Sequence, residues 1–229
     1  PMLQRDYVQG GRNDVISPFL DKLTYAWKEN KTEDLNYIYG YSRDGKFIPI
    51  DGQQRLITLW LLHLYVYAKK SMDFPIELKF ESREFADNFC KKLRMELKNI
   101  LEKGDVICKG NDSKDDSNQK QKTTRFPQNI ITDSPWFISG WLYDTTVKNI
   151  LNTLNLIHDR FKDATEIELA AQSIMFDFLD MKEKNLTDDV YVKMNGRGRP
   201  LSYFENLKSW MDEQIKTFMG ADDQFTKDW

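Results

Sequence analysis

The chain has 229 residues, with 33 lysines and arginines against 36 aspartates and glutamates. Forty per cent of residues are apolar and 13% aromatic, enough to bury a core, which excludes a disordered or fibrous chain. The net charge of −3 excludes the bulk basic signal of a typical nucleic-acid binder, although a local basic site is compatible with it.

Two cysteines, Cys90 and Cys108, are too few for a disulfide scaffold or a four-cysteine zinc site. They point to a reducing compartment, and a cytoplasmic location is expected. The longest apolar run, Leu56 to Leu62, is far short of the ~20 residues that span a bilayer, and no signal peptide is visible, so no membrane partner is expected. The chain opens with Pro1, so the natural N-terminus is expected to lie upstream. Its length is about one and a half times a ~150-residue domain, which predicts one composite domain or two packed ones.

Asp14 to Glu29 carries Val15, Ile16, Phe19, Leu20, Leu23, Ala26 and Trp27 at spacings of three and four, an amphipathic helix. Asn36 to Tyr41 and Lys46 to Ile50 are β-prone, and Arg43-Asp44-Gly45 between them supplies the favoured hairpin turn. The second strand runs into Asp51-Gly52, and a helix follows from about Gln53 to Lys69. Pro75 to Phe80 alternates Ile76, Leu78 and Phe80 with Glu77 and Lys79, which predicts a half-buried strand.

Phe85, Phe89, Leu93, Leu97 and Ile100 define a helix over Arg83 to Lys103 with a charged outer face. Residues 109–124 are nearly devoid of apolar side chains and read as a flexible surface insertion. Trp136, Phe137 and Trp141 form an aromatic cluster, expected against the core rather than stacked on a base. Val147, Ile150, Leu151, Leu154, Ile157 and Phe161 mark another helix. Ser173 to Leu179 is read as a strand, and so is Val190 to Met194. The latter ends at Asn195-Gly196-Arg197-Gly198, before a helix near Leu201 with Ser202 as a candidate N-cap.

The stretch from Phe47 to Lys70 is the most informative. Read plainly, Asp51 caps the helix, Gln54 completes a capping box and Gly52 eases the turn. Two features go further. The helix is apolar almost all round after Arg55, so its first turn is expected in a cleft. That turn holds Gln53, Gln54 and Arg55, and a cation at the positive end of a helix dipole is disfavoured by up to ~1 kcal/mol. Amides, dipole and Arg55 together make a receptor for an anion such as phosphate.

Asp51-Gly52-Gln53-Gln54-Arg55-Leu56-Ile57-Thr58-Leu59 resembles the DGQQR signature of the N-terminal domain of GmrSD-type modification-dependent restriction endonucleases. Pro1-Met2-Leu3-Gln4-Arg5-Asp6-Tyr7 resembles that family's Gln-Arg-x-Tyr opening, and Tyr191 to Ser202 its Asn-x-Arg-Gly-x-x-Leu-Ser segment. Leu78 to Leu93, with Phe80, Glu81, Arg83 and Phe89, fits as well. The resemblance covers nearly the whole chain.

The resemblance implies an α+β fold: a small mixed sheet similar to the ParB/sulfiredoxin fold, elaborated with several amphipathic helices. Residues 1–80 would form the core with the DGQQR motif. Residues 81–229 would be mostly helical and return a strand and the Asn-Gly-Arg-Gly motif to it. It further implies nucleoside triphosphate binding and hydrolysis, coupled to nuclease action on foreign, often modified, DNA in phage defence. DNA would be engaged through the full-length protein or a partner nuclease domain. An HNH nuclease needs histidines, and only His63 and His158 are present, so that domain is expected outside this chain.

Combined with residue chemistry, the resemblance assigns catalytic roles to Asp51, Gln54 and Arg55. Arg55 would neutralise a phosphate with the Gln53 and Gln54 amides. Asp51 would hold a Mg²⁺ or orient the attacking water, and Gln53 or Gln54 would position that water. Gly52, Thr58, Gln4, Arg5, Asn195, Arg197 and Gly198 complete the expected phosphate-binding set. No Walker P-loop is present, no Cys/His cluster supports zinc, and no organic cofactor is implied. His63 reads as a core or edge residue and His158 as a helix-surface feature. Self-association stays open. The alternative is a non-catalytic DNA-recognition module with a ParB-like fold; a third reading makes the motif only a structural cap.

Overall fold

A computed structural model describes residues 6–29, 31–109, 127–162 and 174–180. Five α-helices lie among them: α1 (Asn13–Lys28), α2 (Gln53–Lys69), α3 (Glu84–Lys109), α4 (Pro127–Thr132) and α5 (Thr145–Phe161). The strands are β1 (Glu33–Arg43), β2 (Lys46–Pro49) and β3 (Ile174–Asp180), ordered β2-β1-β3 in one sheet. The class is α+β, as expected.

The chain divides into two compact units. One comprises residues 1–3, 39–51 and 179–229, the other residues 4–38 and 52–178. In the first, β1 and β2 pair antiparallel with Arg43 opposite Lys46, leaving Asp44-Gly45 as a two-residue loop. Both loop residues have positive φ, 51° and 72°, the twist that suits a hairpin. Gly40 is required there, because a Cβ would meet the Ile48 carbonyl oxygen and the Phe47 ring.

The second unit holds the five described helices. α2 is its centre: Leu59 to Leu62 and Leu64 to Val66 are buried, with only His63 between them half-buried, so it is covered on nearly every side. α5 presents Val147, Ile150, Leu151, Leu154 and Ile157 to it, each fully buried. Asp144 caps α5 by accepting from the Thr146 and Val147 amides. α3 contributes Phe89, Leu93, Leu97 and Ile100. Its inner face begins at Ala86 and Phe89 rather than at Phe85, which is exposed. Phe89 is ringed by Trp136, Phe137 and Trp141 at 5.6 to 6.3 Å between centroids, so the aromatic cluster is core packing. His158 ties the two central helices, its Nδ1 3.0 Å from the Tyr65 hydroxyl, and is no mere surface feature.

One expected strand does not form. Pro75 to Phe80 carries no regular secondary structure and joins no sheet among the described residues. Side chains of the flanking helices serve its backbone instead. Trp60 Nε1 donates to the Ile76 carbonyl at 3.0 Å, and Asp87 Oδ1 accepts from the Phe80 amide at 2.9 Å. Phe74 and Phe80 are buried, whereas Ile76 points outward. The strand expected over Ser173 to Leu179 is present as β3, although Phe176 and Phe178 both stay exposed. The expected insertion at 109–124, apart from Lys109, and the expected strand at Val190 to Met194 lie outside the described residues.

Candidate functional site at the start of α2

α2 begins where expected, but its cap is not Asp51. The N-cap is Gly52, with φ 83° and ψ 4°, a left-handed conformation that favours glycine. Gly52 has no side chain to cap the turn, and the first turn contains no acidic residue. The Gly52 carbonyl accepts from the Leu56 amide at 2.9 Å. Space also demands glycine: a Cβ here would stand 3.0 Å from Ile38 Cγ1 and 3.4 Å from Arg55 Nη2. Gly52→Ala is therefore expected to lower stability by about 1–3 kcal/mol, read from the urea midpoint of unfolding. No loss would mean that the turn tolerates a right-handed alternative.

That geometry also fixes Arg55. Its side chain folds back over its own helix start, with Nη2 beside Gly52. Nη2 donates to the Tyr37 carbonyl at 2.9 Å, and Nη1 donates to the Leu35 carbonyl. These two carbonyl partners orient the guanidinium. The result is a held cation at the positive end of a helix.

Gln54 does not close a capping box. Its Oε1 accepts from the amides of Val8 at 2.9 Å and Gln9 at 3.0 Å, and its Nε2 donates to the Asp6 carbonyl at 2.8 Å. Thr58 is fully buried; its hydroxyl donates to the Gln54 carbonyl at 3.0 Å and lies 2.8 Å from the Tyr7 hydroxyl. Thr58 thus packs inward and serves the scaffold. Gln53 is half-buried on the same turn.

Asp6, Tyr7 and Arg83 were not singled out as site residues by the sequence. Arg83 forms an ion pair with Asp6, whose Oδ1 also lies 3.5 Å from the Thr146 hydroxyl. Burial pushes the Tyr7 phenol up to about 12. The available signal was the opening motif itself, which ends on Tyr7. In the hairpin unit, Asp51 is exposed and its amide donates to the Tyr39 carbonyl at 3.1 Å. Gln4, Arg5, Asn195, Arg197 and Gly198 lie outside the described residues. Among the described residues, no three His, Cys, Asp or Glu side chains converge to hold a metal on their own. No described helix is long and apolar enough to cross a membrane.

The family described as GmrSD restriction endonuclease, N-terminal domain, matches residues 1–211. The chain belongs to this family. No curated protein and no solved structure matches it. In GmrSD terms, residues 51–55 are the segment that ends the hairpin and opens α2, and the family match takes in both units of the chain. The chain accordingly carries a restriction-system domain.

Proposed function

We propose that this GmrSD N-terminal domain binds a nucleoside triphosphate at the first turn of α2 and hydrolyses it, as the sensor of a phage-defence restriction system whose nuclease domain lies elsewhere. One observation carries the reading: the Arg55 guanidinium is held by the Leu35 and Tyr37 carbonyls beside the left-handed Gly52, at the positive end of a buried helix. A phosphate there would gain the dipole, the amides of Gln53 and Gln54 and a fixed cation together.

Roles divide by what each side chain is able to do. Arg55 neutralises charge on the phosphates. Gln53 orients the water that attacks the terminal phosphorus, while the bond to the diphosphate leaving oxygen breaks. The Gln54 amide is engaged on backbone and does not take this role. A magnesium ion on nucleotide phosphates needs as few as one or two protein carboxylates, a donor set to which Asp51 is suited. When bound, it would screen the phosphate charge. Gln4, Arg5, Asn195, Arg197 and Gly198 remain assigned to the phosphates by motif.

Magnesium-dependent phosphate release by the purified chain, measured across ATP, GTP, CTP and UTP, tests this. Release from at least one nucleotide is expected. If none is bound or hydrolysed, and DNA binding instead shows a steep salt dependence, the domain is a DNA-recognition module.

A further inference from the structure

Segment 6–12 is held from two sides. On the α2 side, both polar ends of the Gln54 amide are used by the backbone of residues 6–9, in three hydrogen bonds of 2.8 to 3.0 Å. On the α5 side, the Tyr7 amide donates to the Thr146 hydroxyl at 3.1 Å. Asn149 Nδ2 donates to the Tyr7 carbonyl, and Asn152 Nδ2 to the Gly10 carbonyl. The Tyr7 hydroxyl bridges the two helices, 2.8 Å from Thr58 Oγ1 and 3.0 Å from Thr153 Oγ1. Gly10 seals the contact, since a side chain there would meet the Asn149 carbonyl oxygen, Thr153 Oγ1 and the Tyr7 ring.

Gln54 therefore sits in the turn proposed to bind phosphate while its side chain faces a different task. A carboxamide whose oxygen accepts two amides and whose nitrogen serves a carbonyl fixes backbone. We infer that Gln54 is a positioning residue, which sets the first turn of α2 against segment 6–9 so that the turn and the segment order together. This rests on the nucleotide reading above. If only the clamped arrangement binds nucleotide, loss of the clamp lowers apparent affinity by the fraction of molecules still competent, while the bound complex turns over as before. Linkage requires the reverse as well: bound nucleotide must stabilise segment 6–9.

The test uses the full chain, with Gln54→Ala and Gln54→Glu as variants. Glu keeps the acceptor for Val8 and Gln9 but loses the donor to Asp6. In wild type, a saturating magnesium nucleotide is expected to slow hydrogen exchange at the Val8 and Gln9 amides about fivefold or more. In Gln54→Ala, those amides are expected to exchange about tenfold faster, and KM to rise about tenfold with kcat within about twofold of wild type. Gln54→Glu is expected to lie between, and it decides the matter by the same split if the alanine variant does not fold. A fall in kcat at unchanged KM would make Gln54 catalytic and overturn the inference. Faster exchange with unchanged KM would reduce it to a stabilising contact and overturn it equally. A wild-type chain that neither binds nor hydrolyses any of the four nucleotides removes the nucleotide reading itself, and this inference with it.

Discussion

Arg55→Ala is expected to weaken nucleotide binding and turnover by about 10²–10³-fold while the fold survives. That is the scale of losing one preorganised charge-stabilising group, about 3–4 kcal/mol. The substitution has a second effect, because the Leu35 and Tyr37 carbonyls lose their guanidinium donors. A cost of about 1–3 kcal/mol in stability follows, so activity must be compared well below the melting transition. Arg55→Lys separates the two contributions. Lysine keeps the charge but lacks the planar fork that serves two carbonyls at once. It is expected to recover part of the binding and little of the lost stability. Phosphate release by Arg55→Ala at the wild-type rate would refute the role of Arg55.

Tyr7→Ala is expected to be the most destabilising of these substitutions, by about 3–5 kcal/mol, because it empties a fully buried aromatic site between α2 and α5. For a chain of this size that corresponds to a fall in melting temperature of about 6 °C or more, read by calorimetry or circular dichroism. Tyr7→Phe should cost only about 1–2 kcal/mol. The hydroxyls of Thr58 and Thr153 still donate within their own helices, to the carbonyls of Gln54 at 3.0 Å and Asn149 at 2.9 Å. The two variants also differ from wild type in alkali. Burial holds the folded-state phenol near 12 against an ordinary value of 10.0, so the folded state keeps the proton longer than the unfolded one. Stability is then unaffected below pH 10 and declines as the pH rises from 10 toward 12. Tyr7→Phe should show a shallower decline over that interval; an identical one would place the alkaline loss in another group.

What the sequence revealed and what it hid follow from the range of the interactions. α2 was legible to the residue because its apolar run, the Asp-Gly before it and Lys69 at its end are local signals. The β1–β2 hairpin was legible for the same reason, through Asp44-Gly45. The opposite held for Pro75 to Phe80, whose alternation is real but whose backbone is satisfied by Trp60 and Asp87 instead of a neighbouring strand. Nothing in a two-residue period distinguishes those cases. The cap was misplaced by one residue because Asp51 and Gln54 fit a capping box in spacing, while Gln54 finds its partners far back along the chain, at Asp6, Val8 and Gln9. Contacts of that range, like the ties from Tyr7 to Thr146 and Thr153, leave no periodic trace. The motif resemblance supplied the missing information: it marked Tyr7 and the DGQQR segment together before any geometry connected them.

The proposed binding of phosphate at the α2 first turn is tested most directly by titrating the isotope-labelled chain with each magnesium nucleotide and following its backbone amide resonances. The expected result is a saturable shift of Gly52, Gln53, Gln54 and Arg55 together, abolished by Arg55→Ala. Saturable shifts confined to other amides, with these four unmoved, would contradict it.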